Sequence, residues 1–223
     1  MQQEVFDFHK TERLDWNDFV ESDENRGALL YLTKWPDWSS RGIIIHGESG
    51  TGKTHLAALW AQTANAVYVL KESFSHNPRD LFDAECNFVF DNFDTIINRE
   101  NYHWLFHFFN IVKEKNRFFL VLSRLHPSFW NVELSDLRSR LFTLPAVAVE
   151  TPRDDLLLRI SQKIAGDLGI MMPGDAMIHI LNTVERNVNS VADVLKKLDK
   201  LSLQQKRTLS LSFVRNALTP QKI

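Results

Sequence analysis

The stretch Gly47-Glu-Ser-Gly-Thr-Gly-Lys-Thr54 decides how this 223-residue chain is read. It matches the eight-residue phosphate-binding loop, in which glycines let the backbone curl so that successive N–H groups face phosphate oxygens. In that pattern Lys53 reaches the β- and γ-phosphates, and Thr54 offers its hydroxyl to Mg2+. The candidate nucleotide-binding loop thus comprises Gly47, Glu48, Ser49, Gly50, Thr51, Gly52, Lys53 and Thr54, with His55 directly after it. Its setting agrees. Arg41-Gly-Ile-Ile-Ile-His46 before it is an apolar, β-branched run that suits a buried strand, and Leu56-Ala-Ala-Leu-Trp60 after it reads as a helix. A phosphate on such a loop also meets the positive end of the helix.

Four further apolar runs join the one at 42–46, at residues 66–70, 88–91, 118–122 and 146–149. Helical patterns at 54–62, 102–114 and 134–141 separate most of them, and this alternation predicts an α/β fold with a five-stranded parallel sheet flanked by helices. Thr151-Pro-Arg-Asp154 is a helix-start signal, after which the strand pattern stops. Apolar residues at helical spacing in 154–167, 175–185, 191–203 and 211–218 predict a small all-α domain. The expected division is 13–151 for the nucleotide-binding core and 152–223 for the helical domain, with 1–12 as a separate leading segment.

A phosphate-binding loop of this kind needs a carboxylate at the end of a neighbouring strand to hold Mg2+ through water, and Asn87-Phe-Val-Phe-Asp91 supplies Asp91. ATPases often carry an acid at the next position to take the proton of the attacking water. Here that position is Asn92, and an amide orients water without accepting its proton, so slow intrinsic hydrolysis is expected. Asp94 stands two residues further on, where the backbone runs in a different direction. Ser123 follows the run at 118–122, where a hydroxyl can sense a γ-phosphate, although a serine after a strand often serves only its loop.

The formal net charge of −2 gives no broad basic field and argues against independent, tight nucleic-acid binding. Cys86 is the single cysteine, so no internal disulfide forms and a reducing compartment is expected. The amino terminus has no basic segment followed by an apolar stretch, and no run is long enough to span a bilayer; a cytoplasmic protein without membrane association is expected. His103 and His107 have a spacing that can chelate a metal but lack a further ligand nearby, so they read as ordinary helix residues.

Taken in order, these motifs resemble the AAA+ ATPases and, within them, the DnaA-related regulatory inactivator family (Hda or HdaA) in its short alphaproteobacterial form. Phe19-Val-Glu-Ser-Asp-Glu-Asn25 with Ala28 is similar to the segment that borders the adenine pocket in the initiator branch. Trp35-Pro-Asp-Trp38 and the Asp18-Phe19 pair resemble the short subgroup, and Leu134-Ser-Asp-Leu-Arg-Ser-Arg-Leu141 resembles the helix ending in Ser-Arg that carries an arginine finger. The resemblance implies an AAA+ core with a helical lid, ADP or ATP with Mg2+ as cofactors, and Ser123 as the residue sensing the γ-phosphate. It also implies that Arg140 acts on a nucleotide held by DnaA, with Arg138 as the fallback.

Gln3-Glu-Val-Phe-Asp-Phe8 resembles the terminal peptide by which the family binds the sliding clamp of DNA polymerase III, its β subunit. Gln3 would hydrogen-bond at the pocket edge while Phe6 and Phe8 enter an apolar pocket. DNA would then be met only through the clamp, and self-association is a further possibility. Asn189 stands where the initiator branch has a lid arginine, which with Asn92 favours nucleotide sensing over turnover. Two other functions stay open: a nucleotide-dependent clamp adaptor without catalytic output, and a helicase-loading ATPase of the DnaC type.

Overall fold

A computed structural model describes residues 16, 19–82 and 85–218. Among the described residues two compact units are formed, one by those up to 48 with those from 52 to 149, the other by 49–51 with 150–218. In the first unit the order is α1 (Arg26–Thr33), β1 (Gly42–His46), α2 (Lys53–Thr63), β2 (Ala66–Tyr68), β3 (Asn87–Phe90), α3 (Phe93–Ile96), α4 (Tyr102–Glu114), β4 (Phe119–Ser123), α5 (Ser135–Phe142) and β5 (Ala146–Ala148). Between β2 and β3 the chain makes two 3-10 turns, Lys71–Ser75 and Pro78–Phe82, where no regular element was expected.

The five strands are parallel in the order β2-β3-β4-β1-β5. This is the five-stranded α/β sheet that the alternation predicted. One expectation changes: the strand before Asp91 does not neighbour β1, because β4 lies between them.

Side chains alternate between the two faces of a strand, so each inner strand feeds two cores. Ile44, Phe88, Phe90, Phe119 and Val121 pack on one face with α4 and α5, through Trp104, Leu105, Phe108, Phe109, Leu137 and Leu141. Ile43, Ile45, Val89, Leu120 and Leu122 pack on the other with α1 and α2, through Ala28, Leu32, Leu56 and Trp60. The first core is rich in phenylalanine; the second is aliphatic around Trp38 and Trp60, whose rings stack at 5.2 Å. Helix α4 joins its core because 104, 105, 108, 109, 111 and 112 recur at helical spacing on one stripe.

Gly42 opens β1 beneath Phe119 of the adjacent strand, and a Cβ placed there would lie 2.2 Å from a ring carbon. The ring is walled in by Phe108 and Phe109, at centroid distances of 6.1 and 4.9 Å, and has little room to retreat. Gly42→Ala is therefore expected to cost about 1–3 kcal/mol of stability through overpacking. A urea midpoint equal to that of the unaltered chain would contradict this account.

The second unit contains α6 (Asp154–Asp167), α7 (Gly174–Thr183), α8 (Val188–Gln205) and α9 (Leu211–Leu218). Val191, Leu195 and Leu198 form the buried stripe of α8 and meet Leu157, Ile180 and Phe213 from the other three helices. Asn187 caps α8, its Oδ1 accepting from the Ser190 N–H at 2.8 Å. Among the described residues no helix is long and apolar enough to cross a membrane.

Candidate phosphate-binding site

The loop leaves the carboxyl end of β1 and enters α2 at Lys53. Gly47, Gly50 and Gly52 have φ values of 157°, 76° and 95°, and the last two lie in the left-handed region that glycine adopts most readily. At Gly50 space adds a second constraint: a Cβ would stand 2.7 Å from Asn187 Cβ within the second unit, where Val188 N–H also donates to Gly50 O at 3.4 Å.

Lys53 is 9% exposed, and its ammonium donates to the carbonyls of Gly47 at 2.7 Å and Glu48 at 2.6 Å. Burial lowers its pKa, while the carboxylates of Asp91 and Asp94 act the other way. Thr54 Oγ1 donates to Asp91 Oδ2 at 3.3 Å, although 37 positions separate the two residues. A hydroxyl and a carboxylate side by side at the start of a helix form the oxygen donor set that Mg2+ on a phosphate takes. These residues fit such a group. Tyr68 stands near the same carboxylate, and burial, aided by Asp91, pushes its hydroxyl up to about 12, so it stays protonated at neutral pH.

Asn92 caps α3 in the left-handed region, at φ 50° and ψ 43°, and asparagine tolerates that conformation better than most residues. Its N–H donates to Asp91 Oδ1 at 2.7 Å, which fixes the direction of that carboxylate. Asp94 is committed elsewhere. Its Oδ2 accepts from Arg124 Nε at 3.2 Å and its Oδ1 from the Arg124 N–H at 3.1 Å, and its side chain is 9% exposed. The site therefore presents an amide at one acid position and an ion-paired carboxylate at the other.

Ser123 ends β4 and is 1% exposed. Its Oγ donates to Leu125 O at 2.8 Å and accepts from Trp130 Nε1 at 3.2 Å, so the hydroxyl holds the turn after the strand. Arg124, which the sequence reading passed over, takes the outward position and joins the charges that act on Lys53. Its signal was its place directly after a strand end on the loop side of the sheet. His46, the last residue of β1, has its pKa lowered by burial, then by His126, whose ring stands edge-on at 4.8 Å, and by Lys53. His55 lies in α2 with its ring 5.6 Å from Phe19.

Arg140 lies elsewhere. In α5 its Nη1 donates to Asn110 Oδ1 at 2.6 Å, and its guanidinium lies over the Phe106 ring at 4.5 Å. It shares a cavity with Arg41, Phe119 and Leu144, which stand at the starts of β1, β4 and β5, the end of the sheet opposite Lys53. In the second unit Asn189 is exposed, and Arg186 pairs with Asp154 at 3.4 Å across two exposed side chains. Gln3, Phe6 and Phe8 lie outside the described residues.

Residues 154–218 match the family model described as Hda, lid domain. The chain is 27% identical over 186 residues to an uncharacterized protein of Haemophilus influenzae, across 79% of this chain and 80% of that one. Its fold is similar to domain III of the replication initiation protein DnaA of Thermotoga maritima, with a TM-score of 0.74 and 18% identity, covering 92% of this chain and 96% of that chain. It is similar also to AMPPCP-bound DnaA from Aquifex aeolicus, with a TM-score of 0.67 and 19% identity over 84% of this chain and 66% of that chain. The RuvB Holliday junction branch migration motor of Thermotoga maritima has a TM-score of 0.67 at 15% identity, over 87% and 67% of the two chains.

Sheet order, loop and helical lid together define an AAA+ fold of the DnaA type. Residues 154–218 match an Hda lid domain, and the chain shares the fold of DnaA domain III.

Proposed function

We propose that this chain is a regulator of chromosome replication initiation that stimulates hydrolysis of the ATP bound to DnaA. One observation carries the reading: Arg140 lies at the opposite end of the sheet from Lys53. The five residues of β1 separate the two, about 16 Å at the rise of a strand. An arginine so placed is out of reach of its own loop and is presented to a phosphate brought by another molecule, where it stabilises transition-state charge. The Hda lid match and the DnaA-like core support DnaA as that molecule.

In this reading the loop holds ADP or ATP, with Mg2+ at Thr54 and Asp91, as a bound ligand rather than as fuel for rapid turnover. Asn92 accepts no proton and Asp94 is bound to Arg124, which leaves the attacking water without a base. Gln3, Phe6 and Phe8 tether the protein to the sliding clamp, so DNA is met indirectly and in the cytoplasm. Ser123 supports the loop side of the sheet through its turn.

The test follows radiolabelled ATP preloaded on DnaA, with clamp-loaded DNA present and this protein added or omitted. Faster conversion to ADP supports the proposal. Unchanged conversion, with clamp binding verified, rejects it in favour of an adaptor without catalytic output, a reading to which Asn92 also lends support.

Nucleotide binding has its own check. Lys53→Met keeps the buried stem and removes the ammonium, so ADP affinity measured by calorimetry is expected to fall about 10- to 100-fold. Equal affinity in the variant would remove Lys53 from the phosphate site.

A further inference from the structure

The cavity that holds Arg140 lies wholly within the first unit, at the amino-terminal ends of the strands, and has a volume of about 650 Å³. That is the size of a small-molecule site. Arg41, Lys113 and Arg140 all line it, and no described carboxylate does.

Neutral partners hold two of these cations in place. Arg41 Nη2 donates to Asn116 Oδ1 at 2.6 Å and its guanidinium covers the Phe118 ring at 4.8 Å, matching the hold of Asn110 and Phe106 on Arg140. Amides and rings fix a guanidinium without cancelling its charge, so the preorganised forks remain available to an anion. Asn116 reaches its position through φ 55°, a left-handed turn after α4 that puts its amide beside Arg41. The floor is apolar: Phe109 and Phe119 are buried, and Leu144 adds an aliphatic edge.

We propose that this cavity binds an organic phosphate, its phosphoryl group among Arg41, Lys113 and Arg140 and its apolar ring on Phe109, Phe119 and Leu144. Three cations on one lining exceed what one carboxylate neutralises, whereas a phosphate monoester brings close to two negative charges and three acceptor oxygens. The apolar floor excludes inorganic phosphate as the best ligand, since such an ion leaves that surface wet. The site shares Arg140 with the action proposed on another protein's nucleotide, but this ligand is bound by the chain alone, so its binding is tested without DnaA.

The probe is 1-naphthyl phosphate, titrated into the full chain carrying Lys53→Met so that the loop is weakened, and followed by the arginine Nε–H NMR signals and by calorimetry. Saturable binding that shifts the Arg41 signal is expected, with affinity reduced about tenfold or more by Arg41→Ala and by Lys113→Ala separately. Lys113 is exposed, so its variant keeps the test open if Arg41→Ala melts early. Movement of the loop amides alone, or affinity untouched by Lys113→Ala, overturns the proposal. Equal affinity for 1-naphthoate overturns the assignment of phosphate, and equal affinity for inorganic phosphate overturns the role of the apolar floor.

Discussion

Arg140→Ala is expected to lower the stimulation of DnaA-bound ATP hydrolysis by about 10³-fold or more, the range for loss of a guanidinium that meets transition-state charge in trans. The chain's own affinity for ADP stays unchanged, because the loop lies at the other end of the sheet. The fold also survives, since the variant loses one hydrogen bond to Asn110 and one ring contact with Phe106, about 2–3 kcal/mol together. Arg140→Lys keeps the charge and loses the planar fork, so it restores only a small part of the activity. The decisive measurement is single-turnover hydrolysis of labelled ATP on DnaA with each variant at saturating concentration. Stimulation by a folded Arg140→Ala protein at the unaltered rate would falsify the assignment.

The largest effect on stability is expected at Phe108. Its ring is fully buried and sits between Phe88, Phe90, Trp104 and Phe119, with centroids 5.1, 5.0, 5.4 and 6.1 Å away. These neighbours come from β3, β4 and α4, so no single side chain can move into the space left by alanine. Phe108→Ala is expected to cost about 3–5 kcal/mol, a large part of the roughly 5–15 kcal/mol that holds a domain folded. Phe108→Leu retains most of the volume and should cost about half as much or less. Urea denaturation followed by far-ultraviolet circular dichroism measures both; a loss below about 1 kcal/mol for the alanine variant would mean that the site collapses around the cavity.

Much of the sheet was legible because strand signals are local. Ile43, Ile44 and Ile45 are β-branched and adjacent, and all three are buried in β1. The order of the strands is not local, and placing the strand of Asp91 next to β1 overlooked the insertion of β4. The two 3-10 turns after β2 escaped for a related reason: Ser75 Oγ donates to Glu72 O and Asn77 Oδ1 accepts from the Arg79 N–H, side-chain-to-backbone bonds that leave no periodic apolar stripe.

Around the loop, the spacing of Lys53 and Thr54 announces its chemistry, since a phosphate-binding loop is one continuous segment. What the spacing hides is partner choice. Asp94 with Arg124, Thr54 with Asp91, and Arg140 with Asn110 are separated by 30, 37 and 30 positions; the first two pairs meet because the parallel strands end on one side of the sheet, the third because α4 packs against α5. Asn92 is a partial exception: its left-handed conformation gives asparagine a backbone reason to be there, independent of any chemistry with water.

Strand β1 runs between two places of different use, from Arg41 in the basic cavity to Gly47 at the start of the loop. Gly42 to Ile45 are completely or almost completely enclosed, with β4 and β5 paired on either side. Communication over such a distance needs an element with two stable arrangements, and a close-packed central strand has one. The two ends therefore behave as additive sites: free-energy changes from substitutions at Lys53 and at Arg140 sum to within about 0.3–0.5 kcal/mol. β1 insulates the arginine from the nucleotide state of its own chain.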